Sequence, residues 1–209
     1  VITWIALSAA ALLPAASLQA DDWKPLFNGK DLSGWEIAEG KPDAWIAEDG
    51  MLVCKGGGGG WLSTEKEYAN YELELEFRVP PGGNSGVFLR SPREGNPAYV
   101  GMEIQVLDDA AKVYAKLLPE QYTGSIYDVQ AAMPRVTKPA GEWQTMRILC
   151  DGRHVVVTTN GTQVIDANLD DYPGKVATHP GLTRKTGYLG LQNHGSRLEY
   201  RNLRIRELP

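Results

Sequence analysis

A chain of 209 residues, 43% hydrophobic and 22% charged, has room for one sizeable core and an ordinary globular composition. Its formal net charge of -5, from 26 acidic and 21 basic side chains, excludes a surface built to hold nucleic acid or anionic lipid, which needs clustered Lys and Arg. With 23 Gly, 13 Pro, 6 Trp and 9 Tyr, the chain is too rich in turn formers and bulky aromatics for a helical bundle.

Residues 1–20 (VITWIALSAAALLPAASLQA) carry no charged side chain and run into Asp21-Asp22. This is the apolar region of a secretory signal peptide, which predicts export, with residues 21–209 forming a single domain free of the membrane after cleavage. An anchor helix is the weaker reading, because Pro14 interrupts a stretch already marginal against the ~20 apolar residues that a span needs. Cys54 and Cys150 are the only cysteines. Export permits a disulfide, but each ends an apolar strand-like run (MLVC, MRILC), where a buried free thiol is the favoured reading.

Period-two alternation then recurs along the chain. Residues 71–79 (YELELEFRV) put Tyr71, Leu73, Leu75, Phe77 and Val79 on one face and Glu72, Glu74, Glu76 and Arg78 on the other, a strand with a solvated side. Further strands are expected over 85–90, 101–108, 143–151, 154–160, 162–167, 186–194 and 198–208, separated by turn signals such as Pro80-Pro81-Gly82-Gly83-Asn84 and Asp151-Gly152. Asn160-Gly161 is the best hairpin signal, because both residues tolerate positive φ. Only 110–116 has helical character, and 56–60 (GGGGG) reads as a flexible loop leading into Trp61. Many close strands without crossover helices predict an all-β, antiparallel, jelly-roll-like β-sandwich.

Nucleophile elbows, phosphate loops, zinc-protease helices and Cys-pair metal sites are all absent from the sequence. Chemistry must come from side chains that project off strands. In 85–90, 101–108 and 186–194 an apolar face opposes a second face of long polar groups beside Gly or an aromatic. If those faces share one concave sheet, Arg90, Glu103, Gln105, Gln192 and His194 converge on a polar groove suited to a hydroxyl-rich ligand. Taken singly, Arg90 with Glu103 reads equally well as a surface ion pair, and His194, before Gly195-Ser196, as a turn residue. His154 and His179 read as solvated, Glu72, Glu74 and Glu76 as a solvated strand face, and Trp35, Trp45 and Trp143 as core. Trp61 is the better stacking candidate.

Seven segments carry a resemblance: LFNGKDLSGWE (26–36), GGWLSTEKEYANYELELEFR (59–78), GNSGVFLR (83–90), GMEIQVLDD (101–109), LPEQYTGSIYD (118–128), GEWQTMRI (141–148) and GYLGLQNHGSRLEYRNLRIREL (187–208). In them the chain closely resembles the 3-keto-disaccharide hydrolase family of exported bacterial proteins. The resemblance implies a concanavalin A-like lectin/glucanase sandwich, a periplasmic or extracellular bacterial setting, and glycosides already oxidised at C3 by a partner dehydrogenase of sugars. A C3 ketone acidifies the C2 hydrogen, so the C1 aglycone can leave by β-elimination and water can add back. That route needs a base near C2, support for an enolate oxygen and a proton for the leaving oxygen.

On that basis Glu103 or His194 takes the C2 proton, with Glu103 preferred if desolvation raises its pKa, and the other group serves the second proton transfer. Arg90 steadies the enolate oxygen or pairs with Glu103. Gln105 and Gln192 orient hydroxyls, and Tyr127 and Trp61 line the rim from loops. A divalent metal ion is an open option, since Glu103 and His194 are acceptable ligands, though two donors on separate strands say little. The alternatives are a lectin-like module that binds glycans without chemistry, and an ordinary glycanase, which needs a second carboxylate, nearest in sequence at Asp108 or Glu199.

Overall fold

The computed structural model describes residues 22–209, so the predicted signal segment 1–20 lies outside the described residues. Thirteen strands run in chain order as β1 (Lys24–Pro25), β2 (Trp35–Glu39), β3 (Trp45–Glu48), β4 (Met51–Cys54), β5 (Trp61–Tyr68), β6 (Tyr71–Arg78) and β7 (Asn84–Ser91). There follow β8 (Met102–Leu107), β9 (Gln144–Asp151), β10 (His154–Thr159), β11 (Thr162–Asn168), β12 (Gly187–Gln192) and β13 (Leu198–Glu207), with a single α-helical turn, α1 (Pro97–Val100), before β8. The helical character expected over 110–116 is reduced to one 3-10 turn at Lys112–Tyr114. Among the described residues no helix is long and apolar enough to cross a membrane.

Every pairing is antiparallel, in an eight-stranded sheet ordered β11-β10-β9-β6-β13-β4-β3, with β1 also on β13, and a five-stranded sheet ordered β2-β5-β12-β7-β8. The two sheets face each other as the expected all-β, antiparallel sandwich. The local chemistry is that of the sequence. In β6 burial alternates strictly, with Tyr71, Leu73, Leu75 and Phe77 inside. Asn160 (φ 49°) and Gly161 (φ 79°) close the β10–β11 hairpin, and Gly152 (φ 55°) the β9–β10 turn. The inner faces share one apolar cluster that includes Leu62, Val87, Leu89 and Ile104 from one sheet and Leu73, Phe77, Ile148 and Tyr200 from the other. Each large aliphatic or aromatic group buried there contributes about 1.5–3 kcal/mol.

Outside the eight-stranded sheet, the acidic face of β6 is paired rather than merely solvated. Glu72 meets Arg147 at 2.8 Å, Glu74 meets Arg204 at 2.6 Å and Glu76 meets Arg201 at 2.7 Å, a cross-strand ladder. Trp143, read as core, is only half-buried and lies between the guanidiniums of Arg78 (4.8 Å) and Arg201 (4.0 Å), whereas Trp35 and Trp45 are buried as expected. Cys54 and Cys150 are buried free thiols. They sit on β4 and β9, three strand spacings apart in the order β4-β13-β6-β9, which is on the order of 14 Å and far beyond disulfide reach.

Candidate functional site

The second face of the five-stranded sheet is the one that carries polar groups. The β7–β8 register sets Phe88 opposite Glu103 and Gly86 opposite Gln105. The two glycines on this face are spaces that neighbours fill. A Cβ on Gly86 would lie 1.8 Å from Oε1 of Glu103, and one on Gly190 would lie 2.3 Å from the Trp61 ring. Glu103 therefore folds over Gly86, and the indole of Trp61 lies across Gly190.

Two devices outside the sheet wall this face. Asn96 caps α1, its Oδ1 accepting from the Ala98 N–H at 3.1 Å, and brings Tyr99 to 6.4 Å from the Tyr127 ring. The long connection after β8 lays residues 124–127 along the free edge of that strand. The Gln105 N–H donates to the Ser125 carbonyl (3.1 Å), the Gly124 N–H to the Gln105 carbonyl (2.9 Å) and the Tyr127 N–H to the Glu103 carbonyl (2.9 Å). The sheet edge is covered and Tyr127 is fixed beside Glu103.

The result is a cavity of about 190 Å³ lined by Asn84, Asn96, Ala98, Tyr99, Glu103, Gln105, Tyr114, Leu117, Tyr127, Gln192 and His194. Glu103, Gln105, Tyr127, Gln192 and His194, drawn from three distant stretches of sequence, thus line one space. Glu103 is 3% exposed and its Oε1 has no hydrogen-bond partner. Burial, with the nearby charge of Asp128 second, pushes its carboxyl up to about 8. Burial and then Asp128 likewise push the Tyr127 phenol up to about 12. The Tyr127 hydroxyl accepts from Nε2 of Gln121 at 3.3 Å, which leaves its own proton free for a ligand. His194 is exposed at the mouth, just past Asn193, whose N–H donates to the Gly60 carbonyl (2.8 Å) and whose Oδ1 accepts from the Gly195 N–H (2.9 Å).

Two expectations need correction. Arg90 does not reach the groove. Between Phe88 and Ser91 the β7–β12 register shifts by one residue, and Arg90 (φ 49°) takes up the bulge, which turns its side chain to the sandwich interior. There it is fully buried and donates to the carbonyls of Ala69 (2.9 Å) and Gly152 (2.7 Å), tying the two sheets together. Arg90→Ala should cost about 2–4 kcal/mol in urea unfolding, with kcat of the folded protein unchanged; a fall in kcat at unchanged stability would return Arg90 to the site. Trp61 is on a strand, not a loop. At 1% exposure, edge-on to Phe88 at 5.6 Å, it has no ring face open to a sugar and serves instead as floor to a neighbouring cleft.

Sequence reasoning missed Asn84, Asn96, Tyr99, Tyr114 and Asp128. Asn96-Pro97 is a helix-start signal that could have placed Tyr99. Asp128 (φ 55°) accepts from Nε2 of Gln121 at 2.7 Å and lies within 3.5 Å of the Tyr99 hydroxyl. His179, read as solvated, is 5% exposed and packs on Tyr99 at 4.9 Å, and its burial lowers its pKa. Neither Asp108 nor Glu199 lines the cavity. Asp108 accepts from the Gly82 and Ala110 N–H groups, and Glu199 pairs with Arg78, so the two-carboxylate geometry of a glycanase is not formed by them. Among the described residues no three His, Cys, Asp or Glu side chains are placed to hold a metal ion together, and Glu103 with His194 offers two such donors at most. That set does not fit a resident metal ion.

Comparison with known proteins identifies the family and the fold. Residues 22–206 match the model of the 3-keto-alpha-glucoside-1,2-lyase-like domain. A 3-keto-disaccharide hydrolase of Bacteroides thetaiotaomicron is 31% identical, over 91% of this chain and 80% of the relative. Two crystal structures from Parabacteroides distasonis, both provisionally assigned as glycosyl hydrolases, superpose with TM-scores of 0.80 and 0.78 at 26% and 31% identity. They cover 92% and 89% of this chain and 98% and 99% of their own. A carbohydrate-binding module from Bacillus subtilis shares the fold at a TM-score of 0.58 and 12% identity, over 83% of this chain and 96% of its own. With residues 22–206 matched by the family model and a relative 31% identical over 91% of its length, the chain belongs to the 3-keto-alpha-glucoside-1,2-lyase-like domain family.

Proposed function

We propose that the protein is a carbohydrate hydrolase that cleaves 3-keto-glycosides by elimination and rehydration, with Glu103 as the base. The observation that carries this reading is a single carboxyl, almost wholly buried on the floor of a hydrogen-bonding cavity, with a pKa of about 8 and no partner for Oε1. A base of that strength is matched to a C–H acidified by a neighbouring ketone at near-neutral pH.

Ionised Glu103 removes the C2 proton, and the electron pair delocalises onto the C3 oxygen as an enolate. The Tyr127 hydroxyl, kept protonated by its raised pKa, donates to that oxygen, the role that Arg90 is too far inside to fill. The enolate collapses, the C1–O bond breaks, and His194 gives a proton to the departing oxygen to release an alcohol and leave an enone. Water then adds across C1=C2, with its hydroxyl going to C1 and its proton to His194, while Glu103, whose captured proton has exchanged with solvent, protonates C2. The net reaction is hydrolysis. Gln105 and Gln192 orient the ring hydroxyls. The substrate must come from a sugar 3-dehydrogenase, and the apolar 1–20 segment argues for a reaction outside the cytoplasm.

Incubation with a 3-keto-glucoside in deuterium oxide should release the aglycone and place deuterium at C2. His194→Ala should slow release by about 10²-fold while C2 exchange persists, since the base is intact. Binding of the glycoside with neither release nor exchange would instead make this a lectin-like module.

A further inference from the structure

Two half-buried side chains of the 118–128 stretch, Gln121 and Asp128, do not line the cavity but hold groups that do. The Gln121 amide has one orientation. Its Oε1 accepts from the Leu118 N–H at 3.0 Å, so its Nε2 faces the other way, donating to Oδ1 of Asp128 at 2.7 Å and to the Tyr127 hydroxyl at 3.3 Å. Both amide protons are thereby used. A phenol oxygen that receives a proton on that side gives its own proton on another, and Tyr127 lines the cavity.

Asp128 is anchored in turn. Its backbone is left-handed (φ 55°), which Asp tolerates better than most residues, its N–H donates to the Glu120 carbonyl at 3.2 Å, and its carbonyl accepts from Nζ of Lys175. Its second carboxylate oxygen lies 3.5 Å from the Tyr99 hydroxyl, and the Tyr99 ring is backed by His179 at 4.9 Å. The other ionisable groups around Glu103 are Tyr99 from α1, Tyr114 and Tyr127 from the connection after β8, Tyr200 from β13 and His194 beyond β12. Burial keeps the four phenols protonated. Asp128 is thus the carboxylate whose charge Glu103 meets when it ionises.

We propose that Gln121 and Asp128 are a positioning pair for the reaction proposed above, in which Gln121, oriented by Asp128, aims the Tyr127 proton at the C3 oxygen, and Asp128 sets a fixed negative charge against Glu103. The pair rests on that reaction, because it acts only through Tyr127 and Glu103. The base that takes the C2 proton and the donor that meets the electron pair arriving on the C3 oxygen are then tuned from a single loop. Burial is the larger influence on Glu103, and Asp128 adds to it.

The test compares the wild type with Asp128→Asn, Gln121→Met, Tyr127→Phe and the Gln121→Met/Tyr127→Phe double variant on a 3-keto-glucoside. Asn keeps the size of Asp128 and tolerates its backbone while removing the charge. The rising limb of kcat/KM against pH should therefore move to lower pH, by roughly half a pH unit or more. Met fills the space of Gln121 without a donor. Its kcat should fall about tenfold with KM nearly unchanged, since the contact strengthens only as charge reaches the C3 oxygen. Gln121→Glu, which replaces the donor by an acceptor for the Tyr127 proton, should lose at least as much. Tyr127→Phe should cost about 10²-fold in kcat, and adding Gln121→Met to it should cost nothing further. A packing role alone would alter stability and leave these readouts in place. A rising limb unmoved in Asp128→Asn, an unchanged kcat in Gln121→Met, or losses that multiply in the double variant each overturns the pair. If the wild type releases no aglycone, the reaction fails and the pair is judged by carbon-13 NMR titration of the Glu103 carboxyl and by calorimetry with the same glycoside. A lower Glu103 midpoint in Asp128→Asn, with affinity losses in Gln121→Met and Tyr127→Phe that do not multiply, sustains it, and the lack of either overturns it.

Discussion

Glu103→Gln should abolish C2 exchange and aglycone release together, by about 10²–10⁴-fold, and should also flatten the pH dependence of stability. The substitution keeps shape and removes only ionisation, so both effects report one proton. The folded carboxyl titrates at about 8 against an ordinary value of 4.5, because burial and then Asp128 oppose its charge. Between those values the folded chain holds a proton that the unfolded chain has released. Stabilisation from this group is thus complete below about pH 4.5 and is lost as pH rises through 8, with a full span on the order of 5 kcal/mol. Urea unfolding of the wild type at pH 5 and pH 9 should show a loss of several kcal/mol that the Gln variant lacks. Activity runs the opposite way, because the base works ionised, so kcat/KM should climb towards pH 8 just as stability declines. Identical pH–stability curves for the two proteins would mean that Glu103 is an ordinary carboxylate.

Gly86→Ala should be nearly as damaging without changing the identity of any reacting group. The backbone there is extended and any residue could adopt it; the obstacle is the side chain opposite. A methyl at position 86 would sit 1.8 Å from Glu103 Oε1 and 2.6 Å from its Cδ, so the carboxyl must leave its place. A displacement of that size should cost about 10²-fold in kcat/KM, and crowding should cost about 1–3 kcal/mol in stability. Glu103→Asp in the Gly86→Ala background shortens the obstructed side chain and should restore part of the stability. Unaltered kcat/KM in Gly86→Ala would show that Glu103 does not work from above Gly86.

The parts of this molecule legible in its sequence are those governed by simple alternation. β8 has no bulge, so the period-two rule set Glu103 and Gln105 on one face correctly, and the same alternation brought Gln192, the last residue of β12, and His194, two residues beyond its end, to the cavity. The rule failed at Arg90 because a residue with no local mark, neither Gly nor Asn, takes the left-handed conformation and reverses the phase of the strand after it. Tyr127 lies in a stretch without periodicity and was accessible only through the family resemblance. Its place is fixed by edge pairing with β8, a tertiary contact. His179 shows the same limit. A histidine before proline looks like a solvated loop until Tyr99 covers it.

The site is made of two materials. Its floor is hydrogen-bonded sheet, but Tyr114, Leu117 and Tyr127 all come from the excursion between β8 and β9, joined to the sheet edge mainly through 124–127. Relatives could lengthen, shorten or exchange that excursion and so admit differently shaped glycosides, while the proton-transfer apparatus beneath stayed as it is. Substrate range can then diversify across genomes far faster than chemistry.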